Sequence, residues 1–205
     1  EFYLWLKIIM KKIRIKNNNF LIPAIATCLM YMFVFGYIAG ASYSYKEIYN
    51  LDSKTFGLVF GATGSALLFG ALLSTKLLEV LNMKQLSISG SAIIIFGSII
   101  SFISSNIDMI GLDGIVIGFF ISFFGLGLAE ASLFSIAMSS QKTSLGSTAA
   151  LLGSLQLLLP ATSTLVAGYL VEVSIFYWLG FLFILSILSF VFTMIVFKNS
   201  KILSV

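Results

Sequence analysis

The sequence predicts an all-α integral membrane protein of six transmembrane helices, and three observations carry that expectation. Of its 205 residues, 59% are apolar and only 10% are charged, and the mean hydropathy is strongly positive, beyond what a soluble domain of this length can hide in one core. The apolar residues fall in six continuous runs, each close to the roughly 20 residues that a spanning helix needs. The basic residues gather at alternate connections between the runs, as they do in short cytoplasmic loops. Continuous runs exclude a membrane barrel, whose strands alternate apolar and polar residues over about ten positions, and unpaired amides exclude irregular chain in hydrocarbon.

Residues 1–19, EFYLWLKIIMKKIRIKNNN, begin apolar and aromatic and end basic. A signal peptide has the reverse order and a small-residue cleavage site, so the segment is expected to lie amphipathically on an anionic inner leaflet. The chain begins without Met, which suggests a fragment; Met10 offers a later start. Spans are expected at about 20–42, 55–75, 86–105, 113–138, 147–169 and 176–197, followed by a tail at 198–205. One set of connections and ends holds Lys7, Lys11, Lys12, Arg14, Lys16, Lys76, Lys84, Lys142, Lys198 and Lys201, ten of the twelve basic residues. The other set holds only Lys46 and Lys54, with Glu47, Asp52, Asp108, Asp113 and Glu172. Both termini are therefore expected in the cytoplasm, which an even number of crossings requires.

Composition also removes functions. Histidine is absent, so imidazole ligation of zinc or haem and any Ser/His or Cys/His pair are excluded. Cys28 lies alone in an apolar run and reads as a packing residue. No soluble catalytic domain fits beside six spans, and no second buried carboxylate accompanies Glu130 to form a dyad. The chain is therefore not expected to be an enzyme, and no cofactor, metal or nucleic-acid partner is expected.

Glu130, in GLGLAEASLFS, is the only acidic or basic residue well inside a predicted span, where a lone charge costs about 2.5–3.5 kcal/mol on insertion scales. It is a candidate protonatable or cation-binding group in a translocation path, the simpler alternative being a neutral side chain bonded to Ser132 or Gln156. Pro160 removes a backbone donor late in the fifth span, and with Gln156, Thr162, Ser163 and Thr164 it marks either a cavity-facing stretch or a structural kink. Small residues recur four apart at Gly36 and Gly40, Gly57 and Gly61, Gly114 and Gly118, and Ala149 and Gly153. Tight helix packing is the plain reading of that spacing. Tyr43, Tyr45, Tyr49, Tyr169, Tyr177 and Trp178 fall where an interfacial aromatic belt is expected.

Two stretches carry a resemblance. IAGASYSYKEIYNLDSKTFGL, residues 38–58, with Gly40, Tyr43, Glu47, Ile48, Tyr49, Leu51, Phe56, Gly57 and Leu58, resembles the seventh-to-eighth-helix junction of bicyclomycin and chloramphenicol resistance (Bcr/CflA-type) drug/proton antiporters of the major facilitator superfamily. GSTAALLGSLQLLLPA, residues 146–161, with Gly146, Ser147, Ala149, Ala150, Leu152, Gly153 and Gln156, is similar to the eleventh helix of that family. The chain departs from the family pattern at Ser42, Thr63, Ala131 and Ser132, where Pro, Asn and Pro-Asn are usual.

The resemblance implies half of a major facilitator fold: an inverted 3+3 repeat forming the C-terminal six helices, with residues 1–19 as the central linker. It implies multidrug efflux and antibiotic resistance in a bacterial inner membrane. Export of small amphipathic substrates against protons by alternating access would then need an N-terminal six-helix half, so the chain alone is expected to be inactive. Glu130, Gln156, Thr63 and Ser132 are then the pathway candidates, and Gly36, Gly40, Gly57, Gly61, Gly114, Gly118, Gly153 and Pro160 the packing and hinge candidates. The alternative is an oligomeric six-helix channel or permease, although neither an aquaporin-type Asn-Pro-Ala pair nor a potassium-type filter is present.

Overall fold

A computed structural model describes residues 18–107, 111–140 and 145–198. The expected leaflet-bound segment, apart from its last two residues, and nearly all of the tail lie outside them. The described residues form helices only: α1 (Asn18–Tyr43), continued by a π-helical turn at Ser44–Ile48, α2 (Ser53–Leu77), α3 (Met83–Ser104), α4 (Gly111–Ser139), α5 (Leu145–Val173) and α6 (Ile175–Lys198). Six of these segments, α1 being counted with its π turn, are long and apolar enough to cross a membrane. The chain is an all-α integral membrane protein, consistent with half of a major facilitator fold.

Local chemistry sets the helix ends. Asp52 caps α2 by accepting from the Lys54 amide at 3.1 Å; a bond from the Thr55 side chain, with smaller help from backbone amides, holds its carboxyl below the usual carboxylate range. Asn82 and Gln85 form a reciprocal capping box at the start of α3, with bonds of 2.9 and 3.2 Å. Asn50 takes a positive φ of 53° in the turn before α2, a conformation that its short amide side chain tolerates.

Small and hydroxyl residues line the helix contacts. The buried residues of α3 are Leu86, Ser87, Gly90, Ser91, Ile94, Gly97, Ser98, Ser101 and Ser104. Most of these hydroxyls bond to carbonyls of their own helix, as in Ser91 to Ser87 at 2.8 Å and Ser98 to Ile95 at 2.8 Å, so they enter the interior already satisfied. The antiparallel α3–α4 pair is the closest packed. Gly97 lies against the Gly118 carbonyl and Gly90 against the Gly125 carbonyl, so an added Cβ would overlap backbone. Across the same seam Ser101 donates to the Ile115 carbonyl at 3.0 Å and Ser122 to the Ile94 carbonyl at 3.1 Å.

The larger helix contacts have an internal symmetry. α1 packs on α5 as α2 packs on α4, and α1 packs on α6 as α3 packs on α4. Each pairing maps onto the other when α1–α3 is exchanged with α4–α6, while the α1–α4 and α3–α6 contacts map onto themselves. Ser98 and Ser186 meet at 2.8 Å across the α3–α6 contact. This is the arrangement that an inverted pair of three-helix units produces.

Candidate functional site

The site is built on the α1–α4 seam. α1 supplies Tyr31 and α4 supplies Glu130, and the phenol donates to Glu130 Oε1 at 2.6 Å, the length of a hydroxyl bonded to a carboxylate. Both side chains are half-buried. The alternative partners expected from the sequence are not used: Ser132 Oγ and Gln156 Nε2 are buried without a hydrogen-bond partner. Tyr31 is not evident from the sequence around Glu130, because the two residues are 99 positions apart and meet only when α1 packs on α4. The available signal was a phenol in the middle of the first apolar run, far from either interface.

Next to this pair, toward the π-turn end of α1, lies an aromatic layer. Tyr37 stacks on Phe60 at 5.6 Å and meets Phe119 and Phe123 at 4.6 and 4.9 Å, while Phe33 meets the same two rings at 6.1 and 6.3 Å. The layer joins α1, α2 and α4 and closes the seam with apolar surface. Beyond it the hydroxyls of Tyr37 and Tyr45 are buried close to one another.

The other candidates fall in different places. Thr63 is buried on the inward stripe of α2 and donates to the Val59 carbonyl at 2.9 Å. Gln156 lies on the buried stripe of α5 with Thr148, Leu152, Pro160, Ser163, Ala167 and Val171. Thr63, Ser132 and Gln156 are therefore interior residues of the bundle, and only Glu130 among the four pathway candidates reaches accessible surface. Pro160 stands inside an unbroken α5, where the Ser163 hydroxyl contacts both the Pro160 and Met32 carbonyls at 2.8 Å and ties α5 to α1.

The glycines divide likewise. Gly36, Gly40 and Gly118 sit at helix contacts, and Gly114 is buried. Gly57, Gly61 and Gly153 meet nothing within 4 Å, so the tight packing expected of them is not made among the described residues. Two expected belt aromatics are core residues instead. Trp178 is fully buried, with its indole lying over Gly40 and its Nε1 donating to the Gly36 carbonyl at 3.0 Å. Tyr45 is fully buried as well, whereas Tyr43, Tyr169 and Tyr177 are exposed. Among the described residues no group of three His, Cys, Asp or Glu could hold a metal.

No protein-family model matches the chain. It is 28% identical over 156 residues to an uncharacterized MFS-type transporter, YdgK, of Bacillus subtilis, covering 75% of this chain and 38% of the relative. It is 27% identical over 148 residues to the multidrug transporter MdfA of Escherichia coli O6:H1, covering 72% of this chain and 36% of the relative, and matches MdfA of Shigella boydii to the same extent. The chain spans less than two-fifths of the length of these curated relatives. It is a multi-pass helical membrane protein similar to MFS-type transporters.

Proposed function

We propose that the chain forms one six-helix wall of a drug/proton antiporter of the Bcr/CflA type in a bacterial inner membrane, with both termini cytoplasmic, and that it exports small amphipathic compounds by alternating access with a second six-helix half. One observation carries the site: Glu130 is the carboxylate set deep within a span, Glu47, Asp113 and Glu172 lying near helix ends, and it is half-exposed on the α1–α4 seam, bonded to a phenol and to no cation among the described residues. A carboxylate held this way can bind a proton or an organic cation and release it when the opposing wall moves. The names of the relatives support a transport role rather than catalysis.

Two features support a second half. The relatives are more than twice as long as the matched region. The Gly57, Gly61 and Gly64 row of α2 also stands open on the side away from the buried Thr63, Ala66, Gly70 and Ser74 stripe, and such small residues let another helix approach closely. The test is drug accumulation in cells making the chain alone or together with a matching six-helix half, with and without a protonophore. Export is expected only with both halves and only without the protonophore, and Glu130→Gln is expected to abolish its pH dependence. Export by the chain alone would refute the two-half reading. Unchanged pH dependence in Glu130→Gln would remove Glu130 from the mechanism.

A further inference from the structure

One cavity among the described residues is lined by α3 and α6 and not by the helices of the seam. It is a groove of about 350 Å³ between the start of α3 and the end of α6, lined by Lys84, Ile88, Val191, Met194, Ile195 and Lys198 among others, within the size range of small-molecule sites. Its walls are apolar, and among the described residues the only charged ones that line it are Lys84 and Lys198. No carboxylate lines it, and neither lysine is in an ion pair among the described residues.

Helix stability accounts for only one of these lysines. Lys198 sits in the last turn of α6, where the helix dipole favours a cation. Lys84 sits in the first turn of α3, where the dipole disfavours one, and no acid accompanies it there. Val191, Met194 and Ile195 are each more than one-third exposed, and they run along α6 from Lys198 toward the middle of the span for about two turns, roughly 11 Å. The groove thus has a cationic end at the helix termini and an apolar floor leading into the hydrocarbon.

We propose that this groove binds an anionic phospholipid of the leaflet that meets the α3 start and α6 end, with Lys84 and Lys198 holding the headgroup phosphate and an acyl chain lying along Ile88, Val191, Met194 and Ile195. Charge complementarity selects the occupant: a zwitterionic lipid brings its own cation to the two lysines, whereas an anionic one neutralises them. The lining residues all belong to α3 and α6, so the site does not include Glu130 and does not depend on the transport reading.

The test uses the purified 205-residue chain, titrated with phosphatidylglycerol or phosphatidylcholine and read by native mass spectrometry of retained lipid. Phosphatidylglycerol is expected to be retained at least tenfold more tightly than phosphatidylcholine, and the Lys84→Gln/Lys198→Gln variant is expected to lose that preference. A Lys46→Gln/Lys54→Gln variant, with the same change in net charge at the other end of the bundle, is expected to keep it. Val191→Trp, which fills the groove and leaves both lysines, is expected to weaken retention of phosphatidylglycerol. Equal retention of the two lipids, an unchanged preference in the Lys84/Lys198 variant, or an equal loss in both double variants would overturn the proposal. Displacement of the lipid by millimolar inorganic phosphate would assign the lysines to a free anion and overturn it too.

Discussion

About half or more of the most apolar stretch is buried in α1 and α4, 50% and 61%, against 17% in α2 and 22% in α5. α2 is as apolar as α1 and α4, and α5 only less so, so hydrophobicity alone does not decide which helices are central. The inward faces are instead the small and hydroxyl ones, because lipid is as apolar as leucine and association is driven by close packing and hydrogen bonds. α2 and α5 each offer a single inward stripe and leave the rest of their surface to lipid or to another protein wall. α1 and α4 are packed from several directions at once.

This contrast can be broken by substitution. The largest effect is expected from Gly118→Val, because its side chain would enter the Ser101 and Gly97 backbone; overpacking of this kind costs about 1–3 kcal/mol or more, read as a lowered unfolding midpoint in detergent. Trp178→Phe follows, with a loss of about 1–3 kcal/mol by the same measurement, since it leaves the buried Gly36 carbonyl without its indole donor. Tyr31→Phe is expected to be milder for stability, but to move the pH dependence of transport that Glu130→Gln abolishes, since it removes the donor to that carboxylate. The smallest effect is expected at Gly61→Leu, which meets open space and should leave the chain within about 0.5 kcal/mol of its parent while weakening co-purification with a second six-helix half. Equal destabilisation by Gly61→Leu and Gly118→Val would erase the distinction between centre and flank.

Six helices were legible because the run length of apolar residues is set by bilayer thickness, a property that needs no tertiary information. The inward faces were only partly legible. Spacing of four picked out Gly36, Gly40 and Gly118, but it also picked out Gly57, Gly61 and Gly153, which touch nothing here. The contact between α3 and α4 uses a spacing of seven, Gly90 and Gly97 against Gly125 and Gly118, a two-turn repeat that becomes evident only when both helices are read together. Glu130 stood out as a lone charge, but its partner is 99 residues away in sequence, and no local pattern reports such a pair. Trp178 and Tyr45 were assigned to the interface from their position near span ends, whereas glycine at position 40 opens a slot that draws the indole inward.

The Tyr31–Glu130 bond also bears on how the chain is made. α1 precedes α4, so the phenol already resides in the bilayer when the segment carrying the carboxylate leaves the ribosome. A solitary acid would enter hydrocarbon at a penalty of about 2.5–3.5 kcal/mol, whereas this one meets a waiting donor. The order of synthesis therefore makes entry of the fourth helix a docking step onto the first, and removing the phenol would be felt during biogenesis before any solute is moved.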